Sequence, residues 1–346
     1  MTSARYRGSL AVWVLLIAYA SLYPFAPLRP PTFEALSAFF VRPRYVIEAD
    51  VALNVIAYVP LGTLACLYFR QSSQGLKPIL QALALGAALS FAMEICQLFI
   101  PSRVASLYDV LANAGGAFFG ALAFADPFYS LATRPLGELR ERAVISGVWG
   151  DAGLVLLLLW LISQLNPALP FFDAGNIGTD RDSQLALLPW IAVALSVCAF
   201  GLFVSALLRA EIGSLRLTLV LLSIALWLKF LAASFMLQPH VAAEWLNVGR
   251  VVGLVAGIAL FIPLRRLGRS ARIYLALVLT LAGALFAKIF GAYSSLDDLM
   301  RVFRWPYGQL ANFTTLTRFL HELWPFAALV YLIALFFHIR RAPPVK

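Results

Sequence analysis

Long apolar segments recur along almost the whole chain and leave little sequence between them for a water-soluble core. Hydrophobic residues make up 62% of the 346 residues and charged residues only 13%, too few charges to cover the surface of a soluble protein of this length. About 20 apolar residues are needed to span a membrane as a helix. We therefore predict an all-α fold, a polytopic integral membrane bundle of about ten transmembrane helices. The predicted spans are 10–25, 50–69, 79–99, 107–124, 148–164, 186–208, 216–236, 244–263, 272–291 and 322–339.

The distribution of Lys and Arg predicts the orientation. Of the 27 basic residues, 16 lie in the two terminal segments and alternate loops, and 8 lie in the opposite loops. Cytoplasmic loops retain Lys and Arg, so both termini are expected in the cytoplasm of a bacterium, with the protein in the inner membrane. The basic residues are spread over short segments rather than forming one patch, so membrane lipids, and not nucleic acid, are the expected partners. The sequence gives no oligomeric state.

A charged segment separates the first four spans from the other six. Its acidic and basic residues have the spacing of an amphipathic surface helix. The predicted parts are a four-helix membrane unit at 1–125, a cytoplasmic amphipathic linker at 126–147 and a six-helix membrane unit at 148–346.

Polar residues gather near one end of the first four spans. Helical residues three or four positions apart share a face, so Asp50 and Asn54 point the same way, as do Glu94 and Gln97. Ionisable groups are unfavourable in lipid and mark a functional site by default. The predicted polar cluster consists of Asp50, Asn54, Glu94, Gln97, Arg103, Asp109 and Asn113.

The pairing within this cluster has two interpretations. A guanidinium can hold a carboxylate through two parallel hydrogen bonds, so Arg103 is expected to pair with Glu94 or Asp109. Buried polar networks also close membrane hairpins as purely structural clamps. Two acids remain after Arg103 has paired with one, and that excess favours a binding site.

Small residues near the cluster predict close helix packing. Gly116 and Gly120 give the fourth span a smooth face on which another helix can pack. Pro60 is expected to kink or open the second span and to leave backbone carbonyls for a neighbour or a ligand.

Two basic residues lie deep within predicted spans of the six-helix unit. Lys229 is about 20 Å along its helix from Arg216, beyond comfortable snorkelling, and Arg250 is about two turns from its end of the span. Both are expected to bind phosphate in the outer half of the membrane. The three Cys and three His lack metal-ligand spacing, so neither a metal nor a cofactor is expected.

The polar cluster and the residues around it resemble a known pattern, that of VanZ-like membrane proteins, a family named for an accessory of glycopeptide (teicoplanin) resistance. The resemblance covers roughly residues 10–124, about a third of the chain, so the four-helix unit is read as VanZ-like. It implies a cell-envelope role and a link to antibiotic resistance, and it supplies no mechanism. The elements that carry it are Asp50-x3-Asn54, Pro60-Leu61-Gly62, Glu94-x2-Gln97, Arg103, Asp109-Val110-Leu111-x-Asn113 and Gly116-x3-Gly120.

Three classes of function follow from these residues. In the first, which we favour, an outward-facing polar pocket binds or remodels an envelope lipid or a lipid-linked glycan: Arg103, Lys229 and Arg250 meet phosphate, and the acids and amides meet sugar hydroxyls. In the second, an enzyme acts on such a lipid with Glu94 or Asp109 as general base. The sequence has no Ser-His-Asp order, zinc spacing or phosphate-binding glycine loop, which argues against an enzyme. The third class is a transporter, for which charge at the membrane midplane would be expected.

Overall fold

The computed structural model describes residues 2–41, 48–123, 137–169, 171–172, 189–209, 213–241, 248–290, 296–304 and 309–341. The fold of these residues is all-α, apart from isolated β-bridges. The helices are α1 (Thr2–Leu22), α2 (Phe33–Phe39), α3 (Glu48–Phe69), α4 (Lys77–Gln97), α5 (Leu107–Leu122), α6 (137–143), α7 (Val148–Ser163), α8 (Pro189–Leu207), α9 (Ser214–Met236), α10 (Val248–Leu264), α11 (Arg269–Phe290), α12 (Leu296–Arg301) and α13 (Gln309–Arg341).

Helix length and composition make this a multi-pass membrane protein. Among the described residues, six helices are long and apolar enough to cross a membrane, namely α3, α4, α8, α9, α11 and α13. Three shorter apolar helices, α1, α7 and α10, accompany them. Large apolar side chains such as Trp227 and Phe235 are 64% and 69% exposed, a pattern that a lipid environment accommodates and water does not.

A helix lies at each of the ten predicted span positions, but two differ from a simple span. α5 has only 16 residues. α13 has 33 residues and begins at Gln309 rather than at 322. The early turns of α13 are rich in Asn and Thr, and Thr314 and Thr317 are fully buried. A search for apolar runs misses such turns, because their polar side chains are covered by protein.

The chain divides into two compact units by its internal contacts. The first comprises the described residues of Met1–Glu138 and Tyr307–Leu316, and the second those of Leu139–Pro306 and Thr317–Lys346. The predicted linker 126–147 is described only from residue 137, where it forms α6, and its remainder lies outside the described residues. Arg140 of α6 forms an ion pair with Asp151 in the first turn of α7.

Glycines set the packing of the first compact unit, in which α5 packs against both α3 and α4. A Cβ atom at Gly116 or Gly120 would overlap the backbone carbonyl of Val55 or Val59 on α3. The smooth face predicted for this helix is therefore confirmed. Pro60 lies within a continuous α3, and the carbonyl of Ala57, three residues earlier, accepts a 3.0 Å hydrogen bond from Trp13 Nε1.

The second compact unit is built around α8, and most of the residues of this helix are buried. α10 and α11 pack along it. Gly253 and Gly257, one turn apart on α10, face the backbone carbonyls of Trp190 and Ala194 so closely that neither could carry a side chain without a shift. Phe200 and Phe203 of α8 pack with Trp160 of α7 in the core of this unit.

Candidate functional site

Three helices of the first compact unit bring the predicted polar cluster together at one end of the unit. Asp50 and Asn54 come from the first turns of α3, Glu94 and Gln97 from the last turn of α4, and Asp109 and Asn113 from the first turns of α5. Toward the other end of these helices, the fully buried side chains between them are apolar. They are Leu61, Ala65, Ala82, Ala117 and Ala121.

A carboxylate on α5 is held by an amide on α3. Asn54 Nδ2 donates a 3.0 Å hydrogen bond to Asp109 Oδ1, across the close α3–α5 contact that the glycines permit. Asp50, one turn before Asn54, lies close enough to Asp109 for the two carboxylates to interact electrostatically. Asp50, Asp109 and Asn54 thus lie together at the polar end of the α3–α5 pair.

Glu94 is tied to the beginning of α5. Its Oε2 accepts a 2.9 Å hydrogen bond from the backbone N–H of Ser106, and the Ser106 hydroxyl caps α5 by accepting from the N–H of Tyr108. In a capping box, the acid three residues after the cap would bind the cap's own N–H. Asp109 occupies that position, but because Glu94 has taken the N–H, the Asp109 carboxylate is available to Asn54.

The deepest polar group is formed by neutral side chains. Asn113 Nδ2 donates a 2.8 Å hydrogen bond to Ser90 Oγ, and both residues are buried. The Asn113 Oδ1 atom has no hydrogen-bond partner among the described residues. The buried Tyr58 ring lies beside this pair, and its hydroxyl is near enough to Glu94 to interact electrostatically.

Arg103 bonds to partners other than the acids. In the part of the chain that the structure describes, its guanidinium donates to the carbonyls of Ala20 and Tyr23 at the end of α1 and to Asn312 Oδ1 in α13. The expected direct pairing with Glu94 or Asp109 is absent from these contacts. Burial lowers the pKa of the Arg103 guanidinium, and the Glu94 carboxylate opposes that shift from a distance. Carbonyls at a helix C-terminus lack partners within the helix, which explains why they attract this side chain.

Gln97 has a similar role at the same helix end. Its Nε2 donates a 3.0 Å hydrogen bond to the carbonyl of Ser21, also at the end of α1. Gln97 therefore fastens α1 to the end of α4, and Arg103 fastens α1 to the loop that leads into α5. The remaining members of the cluster lie between α3, α4 and α5.

Lys229, in the second compact unit, is fully buried and makes structural contacts. Its Nζ donates to the carbonyls of Asn166 and Leu169, at 2.9 and 2.7 Å. Both carbonyls belong to the turn that follows α7, and Asn166 Nδ2 in turn donates to Thr317 Oγ1 on α13. The ammonium group thus holds this turn in place. Arg250 on α10 is half-buried and close enough for its charge to act on Lys229.

In the comparison with protein families, residues 7–129 match the family described as VanZ/LLP1. Residues 7–129 belong to the VanZ/LLP1 family. No curated protein and no solved structure matched the chain. The VanZ/LLP1 region includes α1 to α5 almost completely and all seven members of the polar cluster, whereas Lys229 and Arg250 lie outside it.

Three residues that lie against the polar cluster were missed by the sequence reasoning. Tyr58 follows Asn54 by one helical turn, and that spacing was a usable signal. Ser106 precedes an apolar run and has an acid three residues later, which is a helix-start signature. Asn312 gave no signal, since it lies 209 positions from Arg103 in a part of the chain outside the family match.

Proposed function

We propose that the VanZ/LLP1 region binds the head group of a cell-envelope lipid or a lipid-linked glycan in a polar pocket that opens toward the periplasm. The observation that carries the proposal is the convergence of three carboxylates and two amides at one end of α3, α4 and α5, while Arg103, the basic member of the cluster, directs its hydrogen bonds to backbone carbonyls and Asn312. The guanidinium of Arg103 therefore serves α1 and Asn312, and a direct contact with Glu94 or Asp109 is not among its contacts in the described residues.

This arrangement favours a ligand that donates hydrogen bonds. Carboxylates are acceptors only, and the Asn113 amide offers a further acceptor at Oδ1. The hydroxyls of a sugar or of another polyol donate to such groups, whereas a phosphate placed among three acids is repelled. Sugar hydroxyls are therefore the part of the ligand that we assign to the cluster. The predicted phosphate contacts of Lys229 and Arg250 stay separate predictions, because these residues belong to the second compact unit.

The membrane arrangement is part of the proposal. We take all ten helices at the predicted positions as membrane-inserted, including the short α5, in the inner membrane of a bacterium with both termini in the cytoplasm. The excess of Lys and Arg in alternate loops supports this orientation. It places the polar end of the first compact unit at the periplasmic face.

Lipid analysis of the purified protein tests the binding proposal. Wild type, Asp109→Asn and the control Glu322→Gln are extracted in membrane nanodiscs, and the retained lipids are measured by mass spectrometry. Asn at position 109 can still accept from Asn54, so the variant removes charge without removing the contact. Glu322 forms an exposed ion pair with Arg318, so its substitution removes one negative charge outside the polar cluster and serves as the control. We expect a hydroxyl-rich or glycan-bearing lipid to be enriched over the bulk membrane in wild type and control and depleted in Asp109→Asn. Equal retention in all three proteins would refute the proposal.

An enzyme acting on the same lipid is the second candidate, because Glu94 and Asp109 lie close enough to interact electrostatically. Conversion of a labelled lipid-linked sugar that is lost in Glu94→Gln would favour the enzyme, and retention without conversion would favour binding alone. A transporter has less support, since the buried residues at the other end of the α3–α5 pair are apolar.

The link to glycopeptide resistance is tested in cells. If the pocket sequesters or alters an envelope lipid, expression of wild type lowers sensitivity to teicoplanin and expression of Asp109→Asn does not. Equal sensitivity with both proteins, at matched membrane levels, would remove resistance from the proposal.

A further inference from the structure

The turn between α10 and α11 carries an accumulation of positive charge that the VanZ/LLP1 region does not explain. Residues 265–272 include Arg265, Arg266, Arg269 and Arg272 and no acid. The turn belongs to the second compact unit. It lies at the end of that unit where α8 terminates, since Arg269 and Arg272 both reach the last residues of that helix.

Two of the four arginines have a structural role. Arg269 Nη2 donates a 3.1 Å hydrogen bond to the carbonyl of Ala206, and Arg272 donates to the carbonyl and the hydroxyl of Ser205. These acceptors lie in the last turn of α8, where the carbonyls lack partners within the helix and the helix dipole is negative. The Nη groups of this pair therefore bind the end of α8, while the Nε atoms of both have no hydrogen-bond partner among the described residues.

Arg265 and Arg266 differ from this pair in their contacts. Neither Arg265 nor Arg266 donates a side-chain hydrogen bond or forms an ion pair with any residue that the structure describes. The guanidinium groups of Arg265, which is half-buried, and Arg266, which is exposed, thus have no acceptor among the described residues.

The start of α11 adds to the positive potential. Its first turn contains no acid and includes Arg269 and Arg272, although the N-terminus of a helix already carries partial positive charge. Gly268 precedes the helix and has no side chain to cap it, and the exposed Ser270 supplies a hydroxyl there. Arginines at this end of a helix are unfavourable unless negative charge lies close by.

Apolar side chains flank the turn on both helices. Ile262 on α10 is 39% exposed, and Tyr274 on α11 is 59% exposed. Beyond them, Val255 and Val278 continue the exposed apolar surface along the two helices. A ligand at the turn would therefore have guanidinium groups at its polar end and an apolar helix surface beside its remaining length.

We propose that Arg265 and Arg266, together with the start of α11, bind the phosphate of an anionic phospholipid whose acyl chains lie along α10 and α11. Guanidinium groups bind phosphate through paired hydrogen bonds, which explains the residue type. The apolar flanks select a lipid over free phosphate. This site is independent of the glycan pocket, because it lies in the other compact unit and outside residues 7–129.

The test compares lipid retention in mixed nanodiscs of phosphatidylglycerol and phosphatidylcholine. The variant is Arg265→Gln with Arg266→Gln, and the control is Arg7→Gln with Arg29→Gln, which removes the same charge from exposed positions of the first compact unit. Wild type and control are expected to retain phosphatidylglycerol above its bulk fraction. The variant loses this preference by roughly fivefold for each guanidinium removed. Thermal unfolding in pure phosphatidylcholine should be the same for all three, because the two side chains have no hydrogen-bond partner among the described residues.

Equal phosphatidylglycerol preference in variant and wild type would overturn the proposal. A second arm adds inorganic phosphate to protein in phosphatidylcholine. Stabilisation by millimolar phosphate without any preference between the two lipids would show a free-anion site and would overturn the lipid assignment. Loss of glycan retention in Asp109→Asn has no bearing on this outcome, so the two proposals can fail separately.

Discussion

Individual residues of the polar cluster divide into those that hold the first compact unit together and those that remain directed at its polar end. Arg103 and Gln97 bind carbonyls at the end of α1. Glu94 combines both roles, because it accepts from the Ser106 N–H and also lies close enough to Asp109 for the two carboxyl groups to interact electrostatically. This double role allows its charge and its contact to be separated experimentally.

We predict that Glu94→Gln folds like wild type and that Glu94→Leu does not. Gln keeps an oxygen that accepts from Ser106, whereas Leu leaves this buried N–H without an acceptor, a loss of about 1 to 3 kcal/mol. Thermal unfolding of the purified variants measures the difference. Equal stability of the Gln and Leu variants would mean that the Glu94–Ser106 contact does not support the start of α5.

A substitution of Lys229 distinguishes a structural role of this side chain from a ligand-binding role. Lys229→Met keeps much of the side-chain volume but leaves the carbonyls of Asn166 and Leu169 without their donor. We expect a loss of about 2 kcal/mol in the free energy of unfolding, because hydrogen bonds to a charged group are lost in a buried site. Chemical unfolding in detergent provides the measurement. A variant as stable as wild type but impaired in lipid retention would support the phosphate role predicted from the sequence.

At the scale of the helices, glycine positions decide how closely α3 and α5 can approach. Gly62, Gly116 and Gly120 each face a backbone carbonyl of the opposite helix. Such close contact brings Asn54 within hydrogen-bonding distance of Asp109. Packing and site geometry are therefore coupled in this pair.

Adjacent glycines on α5 provide a matched test of that coupling. A Cβ at Gly116 would overlap the carbonyl of Val55, whereas a Cβ at Gly115 would meet nothing within 4 Å. We expect Gly116→Ala to lower the free energy of unfolding by about 1 to 3 kcal/mol through overpacking. Gly115→Ala should be neutral or stabilising, since Ala favours the helix over Gly. Equal effects of the two substitutions on thermal unfolding would show that the helices do not pack through this face.

At the scale of the whole molecule, the chain combines a VanZ/LLP1 region with a second membrane unit that the family match does not include. The first unit carries acids at its polar end, and the second carries Arg265 and Arg266 at the α10–α11 turn, whose side chains have no hydrogen-bond partner among the described residues. We assign hydroxyl-bearing chemistry to the one and phosphate chemistry to the other.

Sequence reasoning recovered what depends on local spacing. Helical periodicity placed Asn54 and Asp50 on one face, and the glycine spacing predicted a smooth face on α5 for another helix, which the structure shows to be α3. It did not recover the partners of Arg103, because these lie at the end of α1 and in α13 and no spacing rule connects them. Depth along a helix likewise identified Lys229 as unusual but could not indicate that a turn after α7 supplies its acceptors.

The central claim, that the polar end of the VanZ/LLP1 region faces the periplasm, is tested most directly by thiol labelling in intact cells. Cys66, Cys96 and Cys198, the three cysteines of the sequence, are first replaced by Ala, so that the reagent reacts with the introduced thiol alone. Single cysteines are then placed at opposite ends of α4, as Val104→Cys in the loop before α5 and Gln74→Cys in the loop before α4, both at exposed positions. We predict that a membrane-impermeant maleimide labels Val104→Cys from outside and Gln74→Cys only after permeabilisation. The reverse pattern would contradict the account.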